Sequence, residues 1–255
     1  MSSTHSTTAR RVLLLAGTTE ARLLARRLVD AEIDVIVSFA GRTSKPAAVP
    51  GEHRSGGFGG ADGLATYIAQ HAIAAVVCAT HPFAARMPFN AAAACAAVDR
   101  PLIRLLRPAW VPVAGDHWID VGDLDQAASA LANLGARRVL LTTGRQELAP
   151  FAHLDDVEFT VRSIDPADLA AFSRATMILD RGPFTVDSER ALLTERGIDA
   201  VVSKNSGGSA TAAKLSAARE LGIPVVMVRR PDGPPVHSVS TVDDVLDWLA
   251  AVSLA

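Results

Sequence analysis

The stretch VLLLAGTTEARLLARRL, residues 12–28, decides the fold predicted for this chain. Four apolar residues and Ala16 come first, and such a run is typical of a strand buried in a parallel sheet. Gly17 and two hydroxyl residues, Thr18 and Thr19, then lead into an Ala/Leu/Arg pattern with helical spacing. The stretch therefore predicts a strand, a turn and a helix that open a doubly wound α/β domain.

The turn at Gly17 is predicted to bind phosphate. Glycine allows a tight turn and a close approach of the backbone to a ligand. The N-terminus of a helix attracts phosphate oxygens through its partial positive charge and its free N–H groups. Thr18 or Thr19 would cap the helix and add a hydroxyl group. Because the second and third glycines of the GxGxxG fingerprint are missing, an ordinary Thr-capped helix is the alternative interpretation.

Short β-prone runs alternate with helical patterns along the rest of the chain. This alternation predicts two Rossmann-like doubly wound halves, each with a parallel sheet, that face a central cleft. We place an N-terminal nucleotide-binding domain at residues 1–106 and a C-terminal Rossmann-like domain at residues 107–255, with residues 107–125 as the crossover. The predicted strands lie at residues 12–16, 35–39, 74–79, 102–105, 139–142, 157–161, 175–179, 200–203 and 225–228, and the predicted helices at residues 20–30, 64–70, 88–98, 125–134, 187–196, 210–221 and 242–252.

The composition argues against several classes of protein. The 25 Lys and Arg residues and the 27 Asp and Glu residues give a net charge of −2, so no global attraction to nucleic acid or to an anionic membrane is expected. The Ser/Thr-rich residues 1–10 have no apolar core, and no apolar run reaches the ~18–20 residues that span a bilayer.

The cysteines and histidines indicate neither disulfides nor a metal. Cys78 and Cys95 lie in apolar runs and are expected to be small buried hydrophobes in a reducing cytoplasm. The seven histidines lack the spacing of metal ligands. We therefore expect a cytoplasmic protein without a metal site. The oligomeric state stays open, with a monomer as one possibility.

The residues after the second predicted strand favour NADPH over NADH. NAD-binding units carry an Asp or Glu about 20 residues after the first glycine, where it holds the ribose 2′-hydroxyl. Ser38 stands 21 residues after Gly17, and Arg42 follows it. A small hydroxyl group and a cation in place of an acid would accommodate a 2′-phosphate. The alternative is that Arg42 only decorates a surface loop.

Two further turns in the first half carry polar groups or glycines. Thr80 and His81 come directly after a predicted strand, where a nicotinamide or a substrate would lie, and Arg86 is nearby. His81 could donate a hydrogen bond or a proton, or it could be structural. Residues 56–60 contain four glycines, which suit either a close approach to a ligand or a mobile loop.

The second half carries several cationic or hydroxyl-rich turns after its strands. Multiple carboxylates would suit these turns, because arginine forks and lysine charges are their natural partners. A capped helix with an unrelated lysine is the alternative for the last of the turns. The residues are Thr143, Gly144, Arg145, Arg181, Lys204, Asn205, Ser206 and Thr211.

Six short motifs, taken together and in this order, resemble the precorrin-6A reductases of cobalamin biosynthesis. The resemblance runs from about residue 11 to residue 250, and the set is far more specific than any one of its members. The motifs are GTTEAR at residues 17–22, ATHPFA at 79–84, RPAW at 107–110, TGRQ at 143–146, RGPF at 181–184 and SKNSGG at 203–208.

The resemblance implies an NADPH-dependent reduction of one double bond of precorrin-6A to give precorrin-6B. Hydride would pass from nicotinamide C4 to macrocycle carbon C19, and a proton would be added at the neighbouring carbon. The proton would come from His81, Lys204 or solvent. Cofactor contacts are expected from Gly17, Thr18, Thr19, Glu20, Ser38, Arg42, Thr80 and Gly144, and substrate contacts from Arg86, Thr143, Arg145, Arg181, Asn205, Ser206 and Thr211.

Three other functions are alternatives to the reduction of precorrin-6A. The first is the reduction of cobalt-precorrin-6A in the anaerobic route. The second is another NADP-dependent oxidoreductase, such as an epimerase or a short-chain reductase, but the Tyr-x-x-x-Lys pair is missing because the single tyrosine, Tyr67, is followed four residues later by His71. The third is a nucleotide-sensing module, which would need only one Rossmann half.

Overall fold

The computed structural model describes residues 11–40 and 49–252 of the chain. Contacts among its residues divide the chain into two compact units. The first unit consists of the described residues up to Arg107 together with those from Pro231 onward, and the second unit is Pro108–Arg230.

The order of elements alternates between strands and helices in both units. The described strands are β1 (Arg11–Ala16), β2 (Val35–Phe39), β3 (Glu52–Ser55), β4 (Ile73–Ala79), β5 (Leu102–Leu105), β6 (Trp118–Val121), β7 (Arg138–Leu141), β8 (Glu158–Ser163), β9 (Ala175–Leu179), β10 (Ala200–Lys204), β11 (Val225–Val228) and β12 (Ser238–Val239). The described helices are α1 (Thr19–Asp30), α2 (Gly60–Gln70), α3 (Met87–Ala97), α4 (Leu124–Leu134), α5 (Val186–Glu195), α6 (Ala213–Glu220) and α7 (Val242–Val252), with a short 3₁₀ turn at Ala149–Phe151.

Each unit is built on a six-stranded sheet in which all the described pairings are parallel. The strand order is β12-β5-β4-β1-β2-β3 in the first unit and β6-β11-β10-β7-β8-β9 in the second. The direction in which successive strands are added reverses between β1 and β4, and again between β7 and β10. The prediction of two Rossmann-like α/β halves is confirmed, and each half contains one such switch point.

The first sheet is covered on both faces, which explains the continuous apolar run of β1. Val12 and Leu14 pack with apolar residues of α1 and α7. Leu13 and Leu15 point to the other face, where α2 and α3 supply the apolar partners. Because successive side chains of a strand alternate between faces, a strand buried on both faces must be apolar at every position.

The second sheet is also packed against apolar residues of helices. Val201, Val225 and Met227 of its central strands pack with Leu193 of α5 and Leu215 of α6. Helix α4 packs against β6 and β11. The α4 N-terminus is capped by Asp123, whose side chain accepts a hydrogen bond from the backbone N–H of Gln126.

The C-terminal segment differs from the predicted division of the chain. Residues 231–252 were predicted to belong to the second half, but they belong to the first unit. The backbone N–H of Arg104 donates to the carbonyl of His237, which adds β12 to the edge of β5. Helix α7 packs beside α1 and against β5, on the face of the first sheet that α1 covers. The predicted boundary after residue 106 lies one residue from the observed crossing after Arg107.

The remaining element predictions are confirmed within a few residues, but three strands at sheet edges, β3, β6 and β12, were not predicted as strands. Strand β3 has the polar sequence EHRS, and residues 53–60 were predicted as a glycine-rich loop around a short extended piece, yet residues 52–55 pair with β2. Strand β6 was predicted only as an extended run in the crossover, yet it pairs with β11. Edge strands pack on fewer neighbours, so their sequences carry a weaker apolar pattern.

The two cysteines behave as predicted. Cys78 and Cys95 are free and buried, and burial raises the pKa of Cys95 to about 12. Both thiols therefore act as small apolar side chains. In the part of the chain that the structure describes, no helix has both the length and the apolar character needed to cross a bilayer.

Replacement of Leu249 by alanine tests the assignment of α7 to the first unit. Leu249 is 4% exposed and packs with residues of β1 and α1. Its truncation removes buried apolar surface and leaves a cavity, so we expect the free energy of unfolding to fall by about 2–4 kcal/mol in denaturant titrations. Asp247→Ala, at an exposed position of the same helix, is the matched control and should change it by less than about 0.5 kcal/mol. Equal small effects at both positions would contradict the packing of α7.

Candidate cofactor and substrate site

Several of the predicted site residues lie at the carboxyl ends of the strands beside the two switch points. In the first unit, Gly17 follows β1 and Thr80 follows β4. In the second unit, Thr143 follows β7 closely and Lys204 ends β10. Open α/β sheets bind ligands in the crevice outside the carboxyl ends of their strands at such a switch point. Each unit is therefore a candidate ligand site by its topology.

Thr18 fixes the start of α1. It is the N-cap residue, and its Oγ1 accepts a hydrogen bond of 3.1 Å from the backbone N–H of Ala21. The same hydroxyl donates to the carbonyl of Ala79, at 3.1 Å, at the end of β4. Because its hydroxyl hydrogen is engaged, Thr18 positions the turn rather than donating to a phosphate through its side chain.

Gly17 makes a close backbone contact that leaves little room for a side chain. A Cβ atom at this position would lie 3.2 Å from the backbone nitrogen of His81 and 3.4 Å from Cα of Thr80. The sequence suggested a close approach of Gly17 to a ligand. The structure shows a close approach to the neighbouring loop, which brings the turns after β1 and β4 together.

An ion pair accompanies the first turn of α1. Arg107 donates from Nη1 to Oε2 of Glu20 at 3.0 Å, and their side chains are 14% and 26% exposed. Thr19 accepts a hydrogen bond at Oγ1 from Nη2 of Arg22 at 2.9 Å. Arg107 was noticed only as part of the RPAW motif. Its pairing with Glu20 offsets a negative charge at the predicted diphosphate site.

The predicted 2′-phosphate site contains an arginine that the sequence did not indicate. Ser38 is 4% exposed, and its Oγ accepts a hydrogen bond of 2.9 Å from Nη1 of Arg54. Arg54 lies on β3 directly across from Ser38 in the parallel register. Arg42 lies outside the described residues. Arg54 was missed because residues 53–60 were predicted as a glycine-rich loop around a short extended piece, and not as a strand that pairs with β2.

The loop after β4 orients His81. Its Nδ1 accepts a hydrogen bond of 3.2 Å from the backbone N–H of Phe83. In the neutral ring this contact places the remaining hydrogen on Nε2, so His81 presents a donor on that side. The hydroxyl of Thr80 contacts Sγ of Cys78 at 3.6 Å. Arg86 is exposed at the N-cap position of α3.

The turn after β7 has the properties of a ligand-binding turn. Thr143 is 3% exposed, and its Oγ1 has no hydrogen-bond partner among the described residues. A buried hydroxyl without a partner is costly, so it marks a place where a ligand or a water molecule is expected. Gly144 has a φ of +97°, which favours glycine. Arg145 lies 4.0 Å from a carboxylate oxygen of Asp165.

Lys204 is paired with a carboxylate that sequence reasoning missed. Its Nζ donates a short hydrogen bond to Oε2 of Glu147, and the lysine side chain is 14% exposed. Ser206, two residues further on, is 9% exposed. Glu147 therefore partly offsets the positive charge of the turn after β10.

Asn205 holds the backbone of the crossover segment. Its Oδ1 accepts from the N–H of Trp110 at 2.8 Å, and its Nδ2 donates to the carbonyl of Trp110 at 2.9 Å. A Cβ on Gly207 would lie 2.0 Å from the carbonyl oxygen of Pro108, so glycine is required there. Asn205 was predicted to bind substrate, but both polar atoms of its amide contact Trp110, and it is better described as a positioning residue.

The loop after β9 presents Arg181 at an exposed position. The carbonyl of Ala210 accepts a hydrogen bond from the N–H of Phe184, which ties this loop to the segment before α6. Thr211 lies in that segment, because α6 begins at Ala213 and not at the predicted residue 210. The carbonyl of Thr211 accepts from Nζ of the buried Lys214 at 2.7 Å.

The site residues that sequence reasoning missed share one property. Arg54, Arg107 and Glu147 are charged residues whose importance depends on a partner distant in sequence. Glu147 follows β7 at a distance of six residues, and an acid near the predicted anion-binding turns is the signal that indicates a partner for Lys204. Across residues 11–40 and 49–252, no group of three or more His, Cys, Asp or Glu side chains is arranged to hold a metal ion.

Replacement of Thr18 by valine tests the double role of its hydroxyl. The variant loses the helix cap and the bond to Ala79, so we expect the free energy of unfolding to fall by about 1–2 kcal/mol. Thr66→Val removes an exposed hydroxyl of α2 and should change stability by less than about 0.5 kcal/mol in the same denaturant titration. A Thr18→Val variant as stable as Thr66→Val would rule out the proposed tie between the two turns.

Comparisons with known proteins identify the family of the chain. The family model described as "Precorrin-6x reductase CbiJ/CobK" matches residues 11–250. A precorrin-6A reductase of Rhodococcus erythropolis is 49% identical, over 95% of this chain and 97% of the relative. A cobalt-precorrin-6A reductase of Priestia megaterium is 30% identical, over 93% and 97%. The solved structure of a CobK precorrin-6A reductase superposes with a TM-score of 0.90 at 42% identity, over 95% of this chain and 96% of that one. The chain therefore belongs to the precorrin-6x reductase family CbiJ/CobK and is a reductase.

Proposed function

We propose that this chain reduces one double bond of precorrin-6A to give precorrin-6B in cobalamin biosynthesis, with NADPH as the hydride donor. The observation that carries the proposal is the first switch point. There the capped N-terminus of α1 follows β1, and His81 follows the neighbouring strand β4. This arrangement suits a diphosphate and a nicotinamide side by side.

The N-terminus of α1 fits the cofactor diphosphate. The first N–H groups of a helix have no partner within the helix. Thr18 accepts that of Ala21, which leaves those of Thr19 and Glu20 for the phosphate oxygens. The pairing of Glu20 with Arg107 removes the repulsion that a bare carboxylate would exert on a diphosphate. Gly17 completes this wall, and Ser38 and Arg42 are proposed at the 2′-phosphate.

His81 and Thr80 are proposed beside the nicotinamide. When bound, NADPH supplies a hydride from C4 of its nicotinamide ring. One carbon of the substrate double bond gains the hydride, the adjacent carbon gains a proton, and two electrons pass to the macrocycle. His81 is one candidate donor of that proton, from its protonated imidazolium form, and in the neutral ring its Nε2–H would hold a polar group of a ligand. Lys204, held by Glu147, is the second candidate proton donor.

The second unit is proposed to hold the substrate through its acidic side chains. Precorrins carry several carboxylates, and the turns after β7, β9 and β10 present cations and hydroxyl groups to them. The buried hydroxyl of Thr143 needs a partner, which a ligand oxygen would supply. The proposed contacts come from Thr143, Arg145, Arg181, Ser206 and Thr211, with Arg86 from the first unit, and Gly144 is proposed near the cofactor.

Precorrin-6A without metal is favoured over its cobalt complex. The relative named for precorrin-6A is 49% identical to this chain, whereas the relative named for cobalt-precorrin-6A is 30% identical. Both cover nearly all of the chain, so the difference is not an effect of length.

The direct test is a reduction assay with purified protein. Precorrin-6A and NADPH should be consumed in equal amounts, and the product should gain the mass of two hydrogen atoms. NADH and cobalt-precorrin-6A in parallel reactions should be used more slowly. Binding of NADPH without turnover of precorrin-6A would contradict the proposed substrate.

Two arginines near opposite ends of β9 provide a matched pair for this assay. Arg181 follows the carboxyl end of the strand and Arg174 precedes its amino end, and both are exposed. Arg181→Ala should raise the KM for precorrin-6A about tenfold through the loss of a charge–carboxylate contact. Arg174→Ala should leave it unchanged. Equal effects of the two substitutions would argue against a substrate site at this end of the sheet.

A further inference from the structure

Arg54 stands where a nucleotide-binding unit distinguishes its cofactors. In NAD-binding units an acid at the end of the second strand accepts the ribose 2′-hydroxyl. Ser38 occupies that position here, and its Oγ accepts from Nη1 of Arg54 at 2.9 Å. The neighbouring strand β3 therefore delivers a guanidinium to the point where an acid would otherwise stand.

The guanidinium of Arg54 is held in one place. It donates from Nη1 to the carbonyl of Gly56 at 3.1 Å and from Nη2 to that of Gly57 at 3.0 Å. Its Cζ lies 3.9 Å from the ring centroid of Phe58 and 5.2 Å from that of Tyr67. The two carbonyls and the two rings fix both the position and the plane of the group.

The contacts that hold Arg54 in place do not prevent it from binding an anion. The bonds to Ser38, Gly56 and Gly57 account for three of the five N–H donors of the guanidinium. Its partners are a hydroxyl group, carbonyls and aromatic rings, all of which are uncharged. None of the ion pairs found among the described residues involves Arg54; Glu52, two residues earlier on the same strand, lies 3.6 Å from Arg11.

Tyr67 does not cancel the charge of Arg54. Burial raises the pKa of Tyr67, and this effect outweighs the lowering by Arg54. The phenol is therefore neutral at physiological pH, and the positive charge stays available.

We propose that Arg54 binds the 2′-phosphate of the cofactor and makes the enzyme select NADPH over NADH. This inference rests on the proposed cofactor site in the first unit. A dianionic 2′-phosphate beside Ser38 would accept charge-assisted hydrogen bonds from Arg54, and the ribose of NADH offers no such charge. The glycine-rich residues 56–60 then have a function, because their carbonyls orient the arginine.

The test compares dissociation constants for NADP⁺ and NAD⁺, measured by isothermal titration calorimetry. For Arg54→Ala we expect the dissociation constant for NADP⁺ to rise about 10- to 100-fold, with that for NAD⁺ nearly unchanged. Arg54→Lys keeps the charge but loses the planar fork, so its preference should fall between those of the wild type and Arg54→Ala. Arg26→Ala, an exposed arginine of α1, is the control and should match the wild type.

The outcomes separate the specificity of Arg54 from its structural role. Equal loss of affinity for both nucleotides would mean that Arg54 only supports the loop, and no loss would mean that another residue binds the phosphate; either result overturns the proposal. If Arg54→Ala does not fold, the Arg54→Lys variant provides the test. An Arg54→Lys protein that binds NADP⁺ as tightly as the wild type, with the same preference over NAD⁺, would overturn the proposal. A wild-type protein that binds neither nucleotide would overturn the proposed cofactor site as well.

Discussion

The close contact between Gly17 and the backbone of Thr80 and His81 is the constraint on which the first unit depends. A Cβ at residue 17 would lie 3.2 Å from the His81 nitrogen, which is tighter than most Cβ contacts, so the turns after β1 and β4 would have to shift apart by a few tenths of an ångström. The hydroxyl of Thr18 reinforces the contact, because it caps α1 and also donates to the end of β4. The proposed diphosphate site and the proposed nicotinamide site are adjacent for this reason.

In each unit, a cationic side chain of the candidate site is paired with a carboxylate. Arg107 pairs with Glu20 in the first unit, and Lys204 pairs with Glu147 in the second. Such pairs lower the net positive charge, so long-range attraction of an anion is modest. They also hold the cationic groups in fixed positions, so that binding an anion orders fewer side chains. We infer that recognition of a ligand with many carboxylates depends on the placement of donors rather than on total charge.

The sequence predicted what depends on local pattern and failed where distant contacts decide. The strand, turn and helix around Gly17 follow from apolar spacing and one glycine, and the cap at Thr18 follows from its position before a helix. The return of α7 to the first unit could not be predicted, because an amphipathic pattern shows that a face is buried but not against which sheet. The polar sequence of β3 lacks the apolar pattern of a strand, so the position of Arg54 opposite Ser38 could not be predicted. The role of Asn205 became visible only with Trp110 beside it.

Hydrogen–deuterium exchange of the backbone amides, measured by mass spectrometry with and without NADP⁺, tests the central claim most directly. If the cofactor binds at the first switch point, NADP⁺ should slow exchange in peptides that cover residues 17–21 and 80–83, because the ligand would occupy the N–H groups there. Peptides from the far end of α2, around residues 69–72, should exchange at the same rate in both samples. Protection elsewhere in the chain, with unchanged exchange at residues 17–21, would contradict the assignment of the cofactor to this turn.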